Sequence, residues 1–331
     1  MLGTFVDWAA GFVGAYWATL LIGGTVIMIV LAVNVLFLVW LERKVSGHIQ
    51  RRLGPMEVGP HGVLQTVADM IKLLGKQILT PVHTDRVVYL LAPPLVFLPT
   101  LALASLIPIA GVEGFAAMPY GLLLVLAISA VTVLAIFMAG WSSNNKYSVL
   151  GGMRSVSQVI AYEIPVLLAV LAVVMVAQTT DLRNIVEGQR AGVWYVLKQP
   201  VAALLFFIGM TAETNRAPFD IPEAESELVG GFHTEYSGMR FAMFFFAEYT
   251  NMLVLGALGA TLFFGGWSGP FLPGFVWIML KAYVIIFVMM WFRWTWPRLR
   301  FDQLMTFAWK GLIPVALANL VATALVLGWT G

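Results

Sequence analysis

Eight long apolar runs dominate this sequence, at roughly Tyr16–Leu41, Val87–Ile109, Pro119–Trp141, Val156–Ala177, Tyr195–Ala212, Met239–Trp267, Pro273–Phe292 and Met305–Gly328. A helix needs about 20 apolar residues to cross the hydrocarbon core, so each run is a candidate crossing. The fifth is the shortest. With 60% hydrophobic and 11% charged residues, the chain leaves too little polar sequence between runs for a soluble core. The expectation is an all-α integral membrane protein, residues 1–331 forming one polytopic domain, with no internal repeat visible. Its cytoplasmic loops should cover about 42–86, 142–155, 213–238 and 293–304.

The placement of Lys and Arg predicts the orientation, because cytoplasmic loops retain them. Fifteen of 19 fall after the first, third, fifth and seventh runs, whereas Arg183, Arg190 and Lys198 mark the other side and Lys281 lies within the seventh. An even number of crossings then puts both termini outside the cytoplasm. The opening residues carry Asp7 and no base before the first run, unlike a secretory or transit leader, so an uncleaved start is expected. The formal charge of +2 follows from this loop bias, and no basic stripe interleaved with aromatics points to nucleic acid.

The absence of cysteine excludes a disulfide and a cysteine-ligated iron–sulfur cluster within this chain. His48, His61, His83 and His233 all fall in predicted cytoplasmic loops, where solvated or hydrogen-bonded imidazoles are expected rather than axial haem ligands.

The first loop opens with WLERKVSGHIQRRLGPMEVGP. Glu42, Arg43, Lys44, Arg51 and Arg52 there read as a snorkelling anchor, although Gly54-Pro55 and Gly59-Pro60 add a stiffness that an anchor does not need. Next, GVLQTVADMIKLLGKQIL places Val63, Val67, Met70, Ile71, Leu74 and Ile78 on one helical face and Asp69, Lys72 and Lys76 on the other. Such a helix lies in the interface and could frame a lateral opening for a lipid-like molecule or dock on the bundle.

Acids carry the remaining signal. Glu163 interrupts the fourth run, and Pro165 should loosen the helix near Ala161 beside it. The segment AETNRAPFDIPEAESELVGGFHTEYSGM sets Glu213, Asp220, Glu223, Glu225 and Glu227 against the single base Arg216, stiffened by Pro218 and Pro222. Crowded carboxyls resist simultaneous ionisation, so this group should titrate as a coupled set; the plain alternative is a solvated acidic loop. Glu248 and Lys281 extend the theme into the sixth and seventh runs, suggesting a polar path through the bundle. In RWTWPRLRFDQLM, Arg293, Arg298 and Arg300 with two tryptophans read as an interfacial anchor.

Seven segments, ERKVSGHIQRRLGP, QTVADMIK, GWSSNNKYSVLGGMRS, YEIP, ETNRAPFD, PEAESELVGGFHTEYSGM and PRLRFDQLM, together resemble one family in order. It is the respiratory complex I membrane subunit called H in bacteria and 1 in mitochondria. Met56 and His61 depart from the family's usual asparagine and tyrosine, near the quinone portal.

The resemblance implies eight transmembrane helices plus an interfacial helix in a proton-pumping NADH:quinone oxidoreductase. Peripheral-arm partners carry FMN, iron–sulfur clusters and the reactive quinone end, and antiporter-like and small membrane subunits lie alongside. By motif, Arg43, Arg51, Arg52, Asp69 and Arg216 would line or support the quinone tunnel. Asp220, Glu223, Glu225 and Glu227 would sit where the tunnel meets the proton path, and Glu163, Glu213 and Glu248 would continue it. The implied setting is a bacterial plasma membrane, with quinone as substrate and lipid as surroundings. Other readings stay open: a related hydrogenase or other-donor subunit, a stand-alone transporter, or a structural anchor.

Overall fold

The computed structural model describes residues 15–108, 118–190, 192–222 and 228–330, and no strand occurs among them. Among the described residues, seven helices are long and apolar enough to cross a membrane, and a shorter apolar helix accompanies them. In chain order the α-helices of the described residues begin with α1 (Ala15–Ile49), α2 (Gln65–Gly75), α3 (Arg86–Leu106), α4 (Gly121–Ser142) and α5 (Lys146–Ala177). There follow α6 (Leu182–Arg190), α7 (Tyr195–Lys198), α8 (Pro200–Glu213), α9 (Met239–Phe263), α10 (Gly274–Thr295), α11 (Phe301–Thr306) and α12 (Ile313–Thr330). A π-helical stretch at Phe307–Leu312 joins the last two.

Several predicted edges move. The first crossing does not end at Leu41: α1 continues to Ile49, so Glu42 and Arg43 project from a helix rather than a loop. Likewise α5 starts at Lys146, ahead of Val156, where the Asn145 side chain accepts the N–H of Tyr147 and caps it. Charge marks where the hydrocarbon ends, and a helix is free to run beyond that level. The fifth run divides at Gln199, and α8 begins on Pro200, whose missing N–H costs nothing at a first turn. Its 14 residues span about 21 Å, less than a full hydrocarbon core. Helix α5 runs on through Pro165, which has no N–H to give the Ala161 carbonyl.

Helices approach closely where side chains vanish. A Cβ on Gly209 of α8 would fall 2.0 Å from Val166 Cγ2 of α5, and one on Gly151 would fall 2.8 Å from Gly231 Cα. Small residues in a membrane bundle permit this approach and gain dispersion contacts from it. The second contact presses the segment before α9 onto α5, which fixes His233 beside the bundle.

Lys281 serves a different purpose from the predicted polar path. Its Nζ donates to the carbonyls of Phe264, Gly266 and Ser268 at 2.7, 2.9 and 2.7 Å, satisfying the turn that follows α9. Since Arg293 lies twelve residues further along α10, about 18 Å separates the two levels of the bundle. Lys281 is therefore a staple at the end remote from the acids.

Helix α2 is 11 residues long, too short to cross, and its Ile71 and Leu74 are 61% and 56% exposed. Outward apolar side chains beside a polar face suit a helix lying in the interface.

Candidate functional site

The site is built around Glu42, a carboxylate only 5% exposed near the end of α1. It accepts hydrogen bonds from Arg216 Nη1 at 3.4 Å, Tyr249 OH at 2.7 Å and Arg293 Nη1. Arg216 also reaches Glu248 Oε1 at 2.8 Å, and its guanidinium lies 4.5 Å above the Tyr249 ring. Two arginines thus meet two carboxylates, so charge balances inside the bundle. Burying either sign alone would cost several kcal/mol, on the order of what a whole domain has to spare.

Local sequence holds Arg216 in place. Thr214 and Asn215 leave the end of α8, and Asn215 takes the left-handed φ of 49° that asparagine tolerates well. The buried Gln158 of α5 donates to the carbonyls of Ala212 and Phe219, both at 2.8 Å, closing the loop that carries Arg216.

A cavity of about 340 Å³ opens on this network, with Glu213 and Asn251 among its polar walls and Phe241, Phe244 and Phe245 among its aromatic ones. Beside it runs a groove of about 260 Å³ between α1, α2, α3 and α9, lined almost entirely by apolar side chains. Arg43 and Phe245 border both spaces. Arg43 pairs there with Asp69 of α2 at 2.6 Å, and Gln65 donates to the other oxygen of Asp69 at 3.2 Å.

Of the predicted residues, Arg43, Arg52, Glu213, Arg216 and Glu248 line the cavity, and Asp69 lines the groove. Arg51 is exposed, with φ 54°, and lines neither. Glu163 sits on α5 one turn beyond the cavity-lining Val159 and does not itself line the cavity. Asp220 lies apart, with Oδ2 3.0 Å from Arg298 Nη2. Burial pushes its carboxyl up, and Arg298, Arg293 and Arg216 pull it back down in part. Glu223, Glu225 and Glu227 lie outside the described residues, so the predicted coupled set is visible only at Glu213 and Asp220.

Sequence reasoning missed the centre. From the sequence Glu42 reads as part of a basic anchor and Arg293 as an interfacial one, yet Arg293 donates to the buried Glu42. A single acid amid four bases was the available signal for Glu42. Tyr249, beside Glu248, had none.

His233, expected to be an ordinary loop histidine, lines the cavity between the rings of Phe232 and Phe241, at 4.9 and 5.3 Å. Burial pushes its pKa down to about 4, from an ordinary 6.5. Below pH 6.5 the unfolded state binds a proton that the folded state refuses, so stability falls as pH drops from about 6.5 to about 4. Replacing His233 by glutamine should flatten that part of the profile, measured as the melting temperature of the assembled protein against pH. An unchanged slope would show that His233 is not its source.

The NADH dehydrogenase family model matches residues 22–324. A Brevibacillus brevis protein described as the H subunit of NADH-quinone oxidoreductase is 46% identical over 334 residues, covering 99% of this chain and 98% of its own. Proteins of the same description from Carboxydothermus hydrogenoformans and Geobacillus kaustophilus are 48% and 47% identical, covering 88% and 92% of this chain. The matches take in 85% and 93% of those two relatives.

Proposed function

This chain belongs to the NADH dehydrogenase family, as a membrane subunit of an NADH-quinone oxidoreductase, and from that premise we propose that its cavity receives quinone and couples quinone reduction to proton movement. The observation that carries the reading is the junction of an apolar groove with a polar, ion-paired cavity at Arg43 and Phe245. A long-tailed quinone needs both environments, hydrocarbon for its tail and a polar, aromatic-walled space for its head. It enters from the bilayer past α2 and passes the Arg43–Asp69 pair. Arg52 and Arg216 support the polar space, and Arg51 supports its cytoplasmic rim.

Electrons come from NADH through FMN and iron–sulfur clusters in peripheral-arm partners; this chain holds no cysteine to ligate such a cluster. Reduction to quinol consumes two electrons and two protons. That demand arises at the tunnel's reactive end in the partners and shifts the protonation of the acidic loop, which passes the shift along Glu213, Glu163 and Glu248, whose partly buried carboxyls can exchange protons without leaving a bare charge in hydrocarbon. Asp220, with Glu223, Glu225 and Glu227, links the quinone end to this series, which continues to antiporter-like and small membrane subunits. The chain spans a bacterial plasma membrane, with the Arg-rich loops and the site on the cytoplasmic side and both termini opposite.

Photolabelling of the assembled complex with an azido-substituted ubiquinone tests the reading. Label is expected on the peptides of α1 and α9 that border the groove and cavity, and decylubiquinone should compete it away. Labelling of partner subunits without any competed label on this chain would overturn the proposal.

A further inference from the structure

The turn that follows α9 is held by contacts of its own. Gly265 and Gly266 both take left-handed φ values, 71° and 47°, which glycine adopts at no steric cost. The Gly265 N–H donates to Gln189 Oε1 of α6 and the Gly266 N–H to the Ala260 carbonyl of α9, both at 2.9 Å. The Gly265 carbonyl accepts from the N–H and the hydroxyl of Ser268, at 2.9 and 2.6 Å. None of these bonds involves Lys281. They leave the carbonyls of three alternate residues, Phe264, Gly266 and Ser268, converging on one point, and Lys281 Nζ occupies it.

A primary ammonium group has three N–H donors and no acceptor, and here three acceptors meet them one to one. The nitrogen also lies 5.2 Å from the ring centre of Trp194 and 5.7 Å from that of Trp277, within the range over which an aromatic face attracts a cation. Phe264 directly follows α9, where unpaired carbonyls form the negative end of the helix dipole. Among the described residues no carboxylate pairs with Lys281, so carbonyl dipoles and ring faces bear its charge. We propose that residues 264–268, with Trp194 and Trp277, form a preformed binding site for a primary ammonium ion, and that Lys281 is its tethered ligand. A quaternary ammonium would meet the rings but has no N–H to give. A potassium ion would bring charge without directed donors. Seating the ligand pins α10 to the far end of α9, the two helices that carry Arg293 and Tyr249 at the other end.

The test is Lys281→Ala in the assembled, detergent-solubilised complex. The truncation removes the equivalent of one propylammonium ion and leaves the carbonyls facing an open space. The melting temperature should fall by several degrees, and n-propylammonium chloride should return most of that loss in a concentration-dependent way, as a ligand bound only to the folded state does. Potassium chloride and tetramethylammonium chloride at the same ionic strength should return none of it, and the native complex should respond to none of the three. An unchanged melting temperature in the variant overturns the proposal. So does a loss that n-propylammonium fails to reverse, or one that potassium or tetramethylammonium reverses equally well. If the variant does not survive solubilisation, cells expressing it are grown with each salt and the complex in their membranes is measured. Complex restored by n-propylammonium alone supports the site, and complex absent throughout or restored equally by another of the salts overturns it.

Discussion

Glu42→Ala is expected to deplete the assembled complex from the membrane, the largest single loss among the residues of this site. The carboxylate is the common acceptor for Arg216, Arg293 and Tyr249, and among the described residues only Arg216 of these three pairs with a second carboxylate, Glu248. Alanine would leave the Arg293 guanidinium and the Tyr249 hydroxyl without their acceptor, beside a void. Removing one partner of a buried ion pair costs about 3–5 kcal/mol, a large share of the roughly 5–15 kcal/mol that holds a folded domain together. Glu42→Gln keeps the shape and an acceptor oxygen but discards the charge, so an intermediate loss is expected. The measurement is the amount and melting temperature of detergent-solubilised complex for the two variants. Wild-type values for Glu42→Ala would show that the network is dispensable.

The same network shows what was legible beforehand. The long apolar helices and the acid-rich segment are legible in the sequence, because hydrophobic length and local charge are properties of neighbouring residues. Arg216 and Glu248 were recognisable as site residues, one as the lone base among acids and the other as an acid inside an apolar run. Glu42 was not, because its partners stand 174, 207 and 251 residues away and only the convergence of α1, α9 and α10 brings them to it. Helix ends were misjudged for a related reason. The charges of Glu42–Lys44 and Lys146–Arg154 mark the membrane surface, while the backbone hydrogen bonds of α1 and α5 continue past it. Depth alone makes Lys281 look like part of a polar path, whereas its three carbonyl acceptors make it a staple of the turn after α9.

The second large effect is expected at Glu213. It ends α8 at the cavity wall, and Glu163 lies on α5, the helix against which α8 packs at Gly209. Glutamine matches the acid in size and keeps hydrogen-bonding capacity, yet it cannot release or carry a proton. Glu213→Gln therefore separates proton transfer from packing, which Glu42→Ala does not. Glu163→Gln should act in the same direction, and the double variant should be little worse than either single one, because a broken relay cannot be broken twice.

The most direct test of the account is to reconstitute the Glu213→Gln complex in liposomes and follow NADH oxidation by decylubiquinone together with proton uptake. The account predicts that proton translocation falls by about 100-fold or more, the lower end of what a positioned acid–base group contributes, while NADH:ferricyanide activity is retained. Full wild-type rates of both quinone reduction and proton translocation would contradict it.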